Sequence, residues 1–224
     1  TDLGRKVSLL YLDPLGASMY IKGLRKTTAT TPSLLLLALI ALSPDMPKVY
    51  ASRREWRIID DAVELYAGYS GDILDYIMME AELSEHYYSV MKTALILEEW
   101  INEESEDTIS SRHNIGPGDI HGIVETASWL SKAMYELAVK VMPERASRLR
   151  VLSERVRYGV KEELLELVKI PGIGRTRARR LYQHGFRGFY DLERASINEI
   201  AKVPSIGPTI AKNIKEYLKY TGSL

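Results

Sequence analysis

The sequence predicts an all-α protein in two parts, a helical bundle followed by a small domain built on a repeated hairpin. Three observations predict it. Apolar residues recur at three- and four-residue steps along the middle of the chain, the period of a half-buried helix. A single stretch, Val7 to Leu12, reads as a strand, and no partner strand follows it. Ile170-Pro171-Gly172-Ile173-Gly174 returns 33 positions later as Val203-Pro204-Ser205-Ile206-Gly207.

At the N-terminus, a strand without a partner is expected to be the trailing piece of something larger, or to pair elsewhere. Asp13-Pro14 then supplies a helix cap and a first-turn proline. Thr27 to Thr31 reads as a linker. Leu34 to Leu42 is the longest apolar run. It is far short of the roughly 20 residues that span a bilayer, so it reads as a buried helix. Ser43-Pro44-Asp45-Met46-Pro47 breaks it. Helices are predicted over about Glu55–Tyr66, Asp72–Glu82, Ser84–Glu104, Pro117–Val141 and Glu144–Tyr158. Within the third, Val90, Ala94, Leu97 and Ile101 form one stripe. Gly159 is placed as a helix cap. Beyond it the helices shorten and glycine and arginine become frequent. The predicted division is therefore residues 1–30, 31–158 and 159–224.

Composition narrows the function. Hydrophobic residues make up 46 % of the 224, enough for a packed core. There is no cysteine. That removes disulfide frameworks, cysteine-bound zinc and thiol nucleophiles, and suits a cytoplasmic protein. The four histidines, His86, His113, His121 and His184, lack metal-ligand spacing. Net charge is zero but uneven. Asp60 to Asp107 carries fourteen acidic residues against one basic, a net of −13, whereas Lys140 to Arg187 carries thirteen basic against five acidic, a net of +8. Such a split suits a polyanion partner for the C-terminal part, or simply two solvated faces.

The repeated pentapeptide has the pattern of a helix–hairpin–helix. Glycine allows a phosphate close to the backbone. The next helix begins with unpaired amides and a partial positive charge. Such a hairpin grips phosphate without reading sequence. The first opens into Arg175-Thr176-Arg177-Ala178-Arg179-Arg180, where Ala178 and Leu181 are the packing positions. The second has Pro208 and Thr209 instead and reads as mainly structural.

With these residues in view, the chain resembles the archaeal HelQ-type DNA helicases of the Ski-two-like superfamily-two branch. Thr1–Arg5 through Tyr11–Pro14 resembles the end of that family's winged-helix domain. Ala94–Ile101 is similar to part of its helical ratchet bundle. Gly116–Asp119 with Ile123–Leu130 resembles its ratchet helix, and Arg155–Val160 the connection to its last domain. Gly172–Arg179 is similar to its Arg-x-Arg-Ala-Arg motif.

The resemblance implies a C-terminal region that tracks single-stranded or forked DNA during 3′-to-5′ unwinding, in repair or replication restart. Trp129 matches a residue that stacks on a base, although Ile123, Leu130 and Met134 nearby also allow a core position. Arg175, Arg177 and Arg179 match the terminal motif, and Lys132, Gly172, Gly174 and Arg180 complete the expected nucleic-acid contacts. One departure stands out. The family has an arginine before its Ile-Val-Glu-Thr-Ala string, and this chain has Gly122, with His121 or Lys132 as the nearest substitutes. A helicase motor requires a phosphate-binding loop ending in Lys-Ser or Lys-Thr and an acidic metal motif. Neither is present, so no catalytic residue or cofactor is expected here. ATP and Mg2+ belong to motor domains upstream or in a separate subunit. Two alternatives remain: an RNA-handling module, and a protein-interaction scaffold using the acidic segment.

Overall fold

The computed structural model describes residues 2–66, 68 and 71–221, and among these residues every regular element is helical. They divide into two compact units, Thr1–Arg157 and Tyr158–Leu224.

The first unit is organised around α3 (Ser33–Leu42). Leu34 through Leu42 are all buried, which explains why the run has no polar face. Its four wall helices are α2 (Pro14–Leu24), α5 (Asp72–Glu80), α6 (Ser84–Ile101) and α8 (Pro117–Val141). The predicted stripe of Val90, Ala94, Leu97 and Ile101 is fully buried on α6. Outside these lie α1 (Asp2–Leu9), α4 (Arg53–Glu64), α7 (Glu106–His113) and α9 (Pro143–Tyr158). Local sequence explains the starts. The Asp13 carboxylate accepts from the Leu15 amide at 2.7 Å, capping α2. Asp119 reaches back to the Gly116 amide at 2.8 Å, closing the first turn of α8 behind Pro117.

One expectation needs correction. Val7–Leu12 is not a strand: residues 2–9 form α1. Leu3, Val7 and Leu10 recur at helical spacing and pack against the core. Thr27–Thr31 connects α2 to α3, and it is held by specific contacts. Thr27 and Thr31 are buried, and the Thr31 hydroxyl accepts from the Thr28 amide at 2.8 Å. Arg145 and Arg148 of α9 donate to the carbonyls of Thr27, Ala29 and Thr31. At the other end of the same helix, Arg155 donates to the Ile101 carbonyl at 3.2 Å, and the Trp100 indole donates to the Val156 carbonyl at 2.9 Å. Part of the basic segment's charge is therefore committed inside the bundle.

The second unit begins at Tyr158. Gly159 turns with φ +63°, the left-handed conformation expected of a helix cap. Two 3₁₀ turns, Glu162–Leu164 and Leu167–Lys169, lead to α10 (Arg175–Gln183). Then come α11 (Phe189–Arg194), α12 (Ile197–Ile200) and α13 (Pro208–Thr221). Ile170, Ile173, Ala178 and Leu181 are buried, and so are their repeat partners Val203, Ile206, Ala211 and Ile214.

Candidate nucleic-acid interface

The two hairpins match in backbone as well as in sequence. Ile173 N–H bonds to the Ile170 carbonyl at 3.0 Å, and Ile206 N–H to the Val203 carbonyl at 3.0 Å. Gly174 then accepts from Ala178, and Gly207 from Ala211, each at 3.0 Å. The turn residue takes positive φ in both, +81° at Gly172 and +67° at Ser205. Serine pays for that conformation where glycine does not. An added Cβ at Gly172, Gly174 or Gly207 would meet nothing within 4 Å. Both loops therefore present open backbone, and each leads directly into a helix N-terminus.

The arginines after the first hairpin do different work. Arg177 turns toward the second hairpin: Nη1 donates to the Gly172 carbonyl at 2.8 Å and Nε to the Ser205 carbonyl at 3.2 Å. One guanidinium thus joins the carbonyls of both positive-φ residues. Arg179 pairs with Glu163 at 2.8 Å and lies over the Tyr182 ring, 5.3 Å from its centroid. Burial acts to raise the Glu163 carboxyl, but the bond from Arg179, a backbone hydrogen bond and the charges of Arg179 and Lys161 together outweigh it and hold the group below its ordinary value. Arg175 and Arg180 are half-buried, and Ala178 and Leu181 fill the core, as their positions predicted.

In the first unit, His121, Glu125, Trp129 and Lys132 lie along one exposed stripe of α8. Trp129 retains 37 % of its surface, so it is not a core residue. Its Nε1 donates to the Leu10 carbonyl at 3.0 Å, which fixes the ring by its polar edge. Gly122 lies on the same exposed side, and a Cβ there would meet nothing within 4 Å. The Lys6–Glu136 and Lys140–Asp2 pairs tie α1 to the later part of α8. The three-dimensional structure thus brings Trp129 and Lys132 together on one helix and gathers Gly172, Gly174, Arg175, Arg177, Arg179 and Arg180 around the first hairpin of the other unit. Sequence reading missed Glu163 as a partner of that cluster and Leu10 as the anchor of Trp129. Both contacts join residues distant in the chain and leave no local signal.

Among the described residues, no group of three histidine or acidic side chains could hold a metal ion. The glycine turn at Gly172–Gly174 leads into arginine, not lysine followed by a hydroxyl. These residues do not fit ATP with Mg2+. No helix among the described residues is long and apolar enough to cross a membrane.

Comparison with known proteins finds two family matches along the chain. Residues 34–159 match the family described as archaeal helicase, domain 4, and residues 164–219 match the SAM-like helix-hairpin-helix tandem. The chain is 37 % identical to the ATP-dependent DNA helicase Hel308 of Methanocella arvoryzae over 97 % of its length and 30 % of that protein. It is 36 % identical to the protein of the same name from Pyrobaculum calidifontis, over 96 % of the chain and 29 % of the relative. The Pyrococcus abyssi protein of that name is 34 % identical over 96 % and 30 %. The chain spans less than a third of these relatives. With the first match covering more than half of its residues, the chain belongs to the archaeal helicase domain 4 family and carries a helix–hairpin–helix tandem behind that domain.

Proposed function

We propose that this chain is the DNA-gripping region of an ATP-dependent superfamily-two DNA helicase, holding the single strand that a motor translocates. The observation that carries this reading is the pair of hairpins with matching backbone, open to phosphate and flanked by Arg175, Arg177, Arg179 and Arg180. Relatives named as ATP-dependent DNA helicases support it. In this reading the hairpins and their arginines hold phosphate oxygens, and α8 offers Trp129 to a base and Lys132 to the backbone. Residues 1–30 are the end of a winged-helix domain, 31–158 the ratchet bundle and 159–224 the terminal clamp. ATP hydrolysis, its Mg2+, the 3′-to-5′ polarity and the preference for forked DNA belong to the whole helicase, and its setting is the cytoplasm. The residues of this chain bind and orient.

A fluorescence-anisotropy titration with labelled single-stranded, forked and RNA oligonucleotides over a range of salt tests the reading. The expected result is binding to single-stranded and forked DNA that weakens steeply as salt rises. Absence of binding at low salt, or a clear preference for RNA, overturns it.

A further inference from the structure

A second surface of the bundle has the opposite character. Between α4, α5 and the start of α6 lies a cavity of about 480 Å3, lined by the apolar side chains of Val63, Leu74, Met78, Leu83 and Tyr87. Its size falls within the roughly 300–1,000 Å3 of small-ligand pockets. Met78 is 53 % exposed and Leu83 71 %. Apolar surface left open beside polar groups marks an interaction site, and methionine adapts to more than one shape of partner.

The same cavity is lined by Asp60, Glu64 and Glu82. Asp60 accepts from the Tyr88 hydroxyl at 3.0 Å, and among the described residues none of the three pairs with a basic side chain. Lys92, the one basic residue between Asp60 and Asp107, is buried and committed to Glu55 at 2.5 Å and the Tyr50 carbonyl at 3.1 Å. Among the described residues, the three carboxylates that line the groove therefore have no basic side chain paired with them, and nearby Arg53 is drawn instead to Glu85 at 3.9 Å. A polyanion is repelled here, whereas a cationic partner with an apolar stripe satisfies both the floor and the acids.

We propose that this groove docks a basic amphipathic helix of a partner protein. Such a helix lays large apolar side chains over Met78 and Leu83 and sets lysine or arginine against Asp60, Glu64 and Glu82. The groove shares no residue with the proposed nucleic-acid contacts.

The probe is a labelled synthetic peptide of about fourteen residues with leucines at helical spacing and lysines elsewhere. Its control has the same composition scrambled so that the leucines share no face. Binding is read by anisotropy on the 224-residue chain. The scrambled peptide should bind about tenfold more weakly. Met78→Ser with Leu83→Ser should weaken the amphipathic peptide by about tenfold. Asp60→Asn with Glu64→Gln and Glu82→Gln should weaken it and flatten its salt dependence. Glu106→Gln with Asp107→Asn, on α7, should change neither. Circular dichroism checks that each variant is folded, and photo-crosslinking of the peptide to the unaltered chain should label the segment containing Met78 and Leu83. Equal binding of the scrambled peptide, unchanged binding by the groove variants, or crosslinks elsewhere overturns the proposal. So does a concentration-dependent dimer abolished by Met78→Ser with Leu83→Ser, which would give the groove to a second copy.

Discussion

Arg177 donates through Nε to the carbonyl of Ser205, in the second hairpin, while its Nη1 holds the carbonyl of Gly172 in the first. The side chain is a strut as well as a charge. Arg177→Ala should lower stability by about 1.5–3 kcal/mol, the range for hydrogen bonds that involve a charged group. Arg177→Lys keeps the charge but cannot span two carbonyls with a planar fork. It should therefore behave like the alanine variant in thermal unfolding. A lysine variant as stable as the parent would remove the strut and leave Arg177 as a phosphate contact alone.

If Arg179 holds a DNA phosphate, as proposed, Glu163 is its competitor. Glu163→Gln removes the carboxylate that accepts from Arg179 at 2.8 Å. Affinity for single-stranded DNA should rise, and the dependence of log affinity on log salt should steepen by about one phosphate contact. The carboxyl is held below its ordinary value, so the pair persists above that value and is lost as pH falls through the lowered one. Acidification should therefore close the gap between the variant and the parent. Equal affinity and equal salt dependence in variant and parent would place Arg179 outside the interface.

Trp129 combines a ring and an anchor. Trp129→Ala should cost about 1–3 kcal/mol in single-strand affinity if the ring stacks on a base. Trp129→Phe keeps an aromatic face but loses the bond to Leu10. Its larger effect should be on thermal stability, by about 1 kcal/mol. Wild-type DNA affinity in the alanine variant would make the indole a tether for α1.

Gly122 has space for a side chain. Gly122→Arg should raise helix stability by up to about 1 kcal/mol, since glycine is a poor interior helix residue. If α8 lies along DNA, the variant should also bind more tightly, with about one more phosphate contact in its salt dependence. Higher stability with unchanged affinity would separate α8 from the strand.

How much of this was readable in sequence depended on whether the cause was local. The α8 boundaries, Pro117 and Val141, follow from a first-turn proline, the Asp119 capping carboxylate and sustained periodicity. The helix predicted to run from Ser84 to Glu104 ends at Ile101. A separate helix, Glu106–His113, starts on the Ser105 cap, where the hydroxyl accepts from the Thr108 amide at 3.1 Å. It escaped detection because it buries only Ile109 and His113, too few for an apolar stripe. Val7–Leu12 deceived because a short apolar run suits either a strand or a helix until its neighbours are known. The hairpins were legible as repeated letters. The role of Arg177 was not, because its acceptors are backbone carbonyls, which any residue supplies.

The bonds at both ends of α9 bear on load. Its sixteen residues make a rod of about 24 Å. Arg145 and Arg148 rivet one end to the Thr27–Thr31 loop, and Arg155 and Val156 rivet the other to the end of α6. A rod pinned at two points resists swinging. Tension applied at the Tyr158 end of α9 is therefore carried along its axis into the bundle.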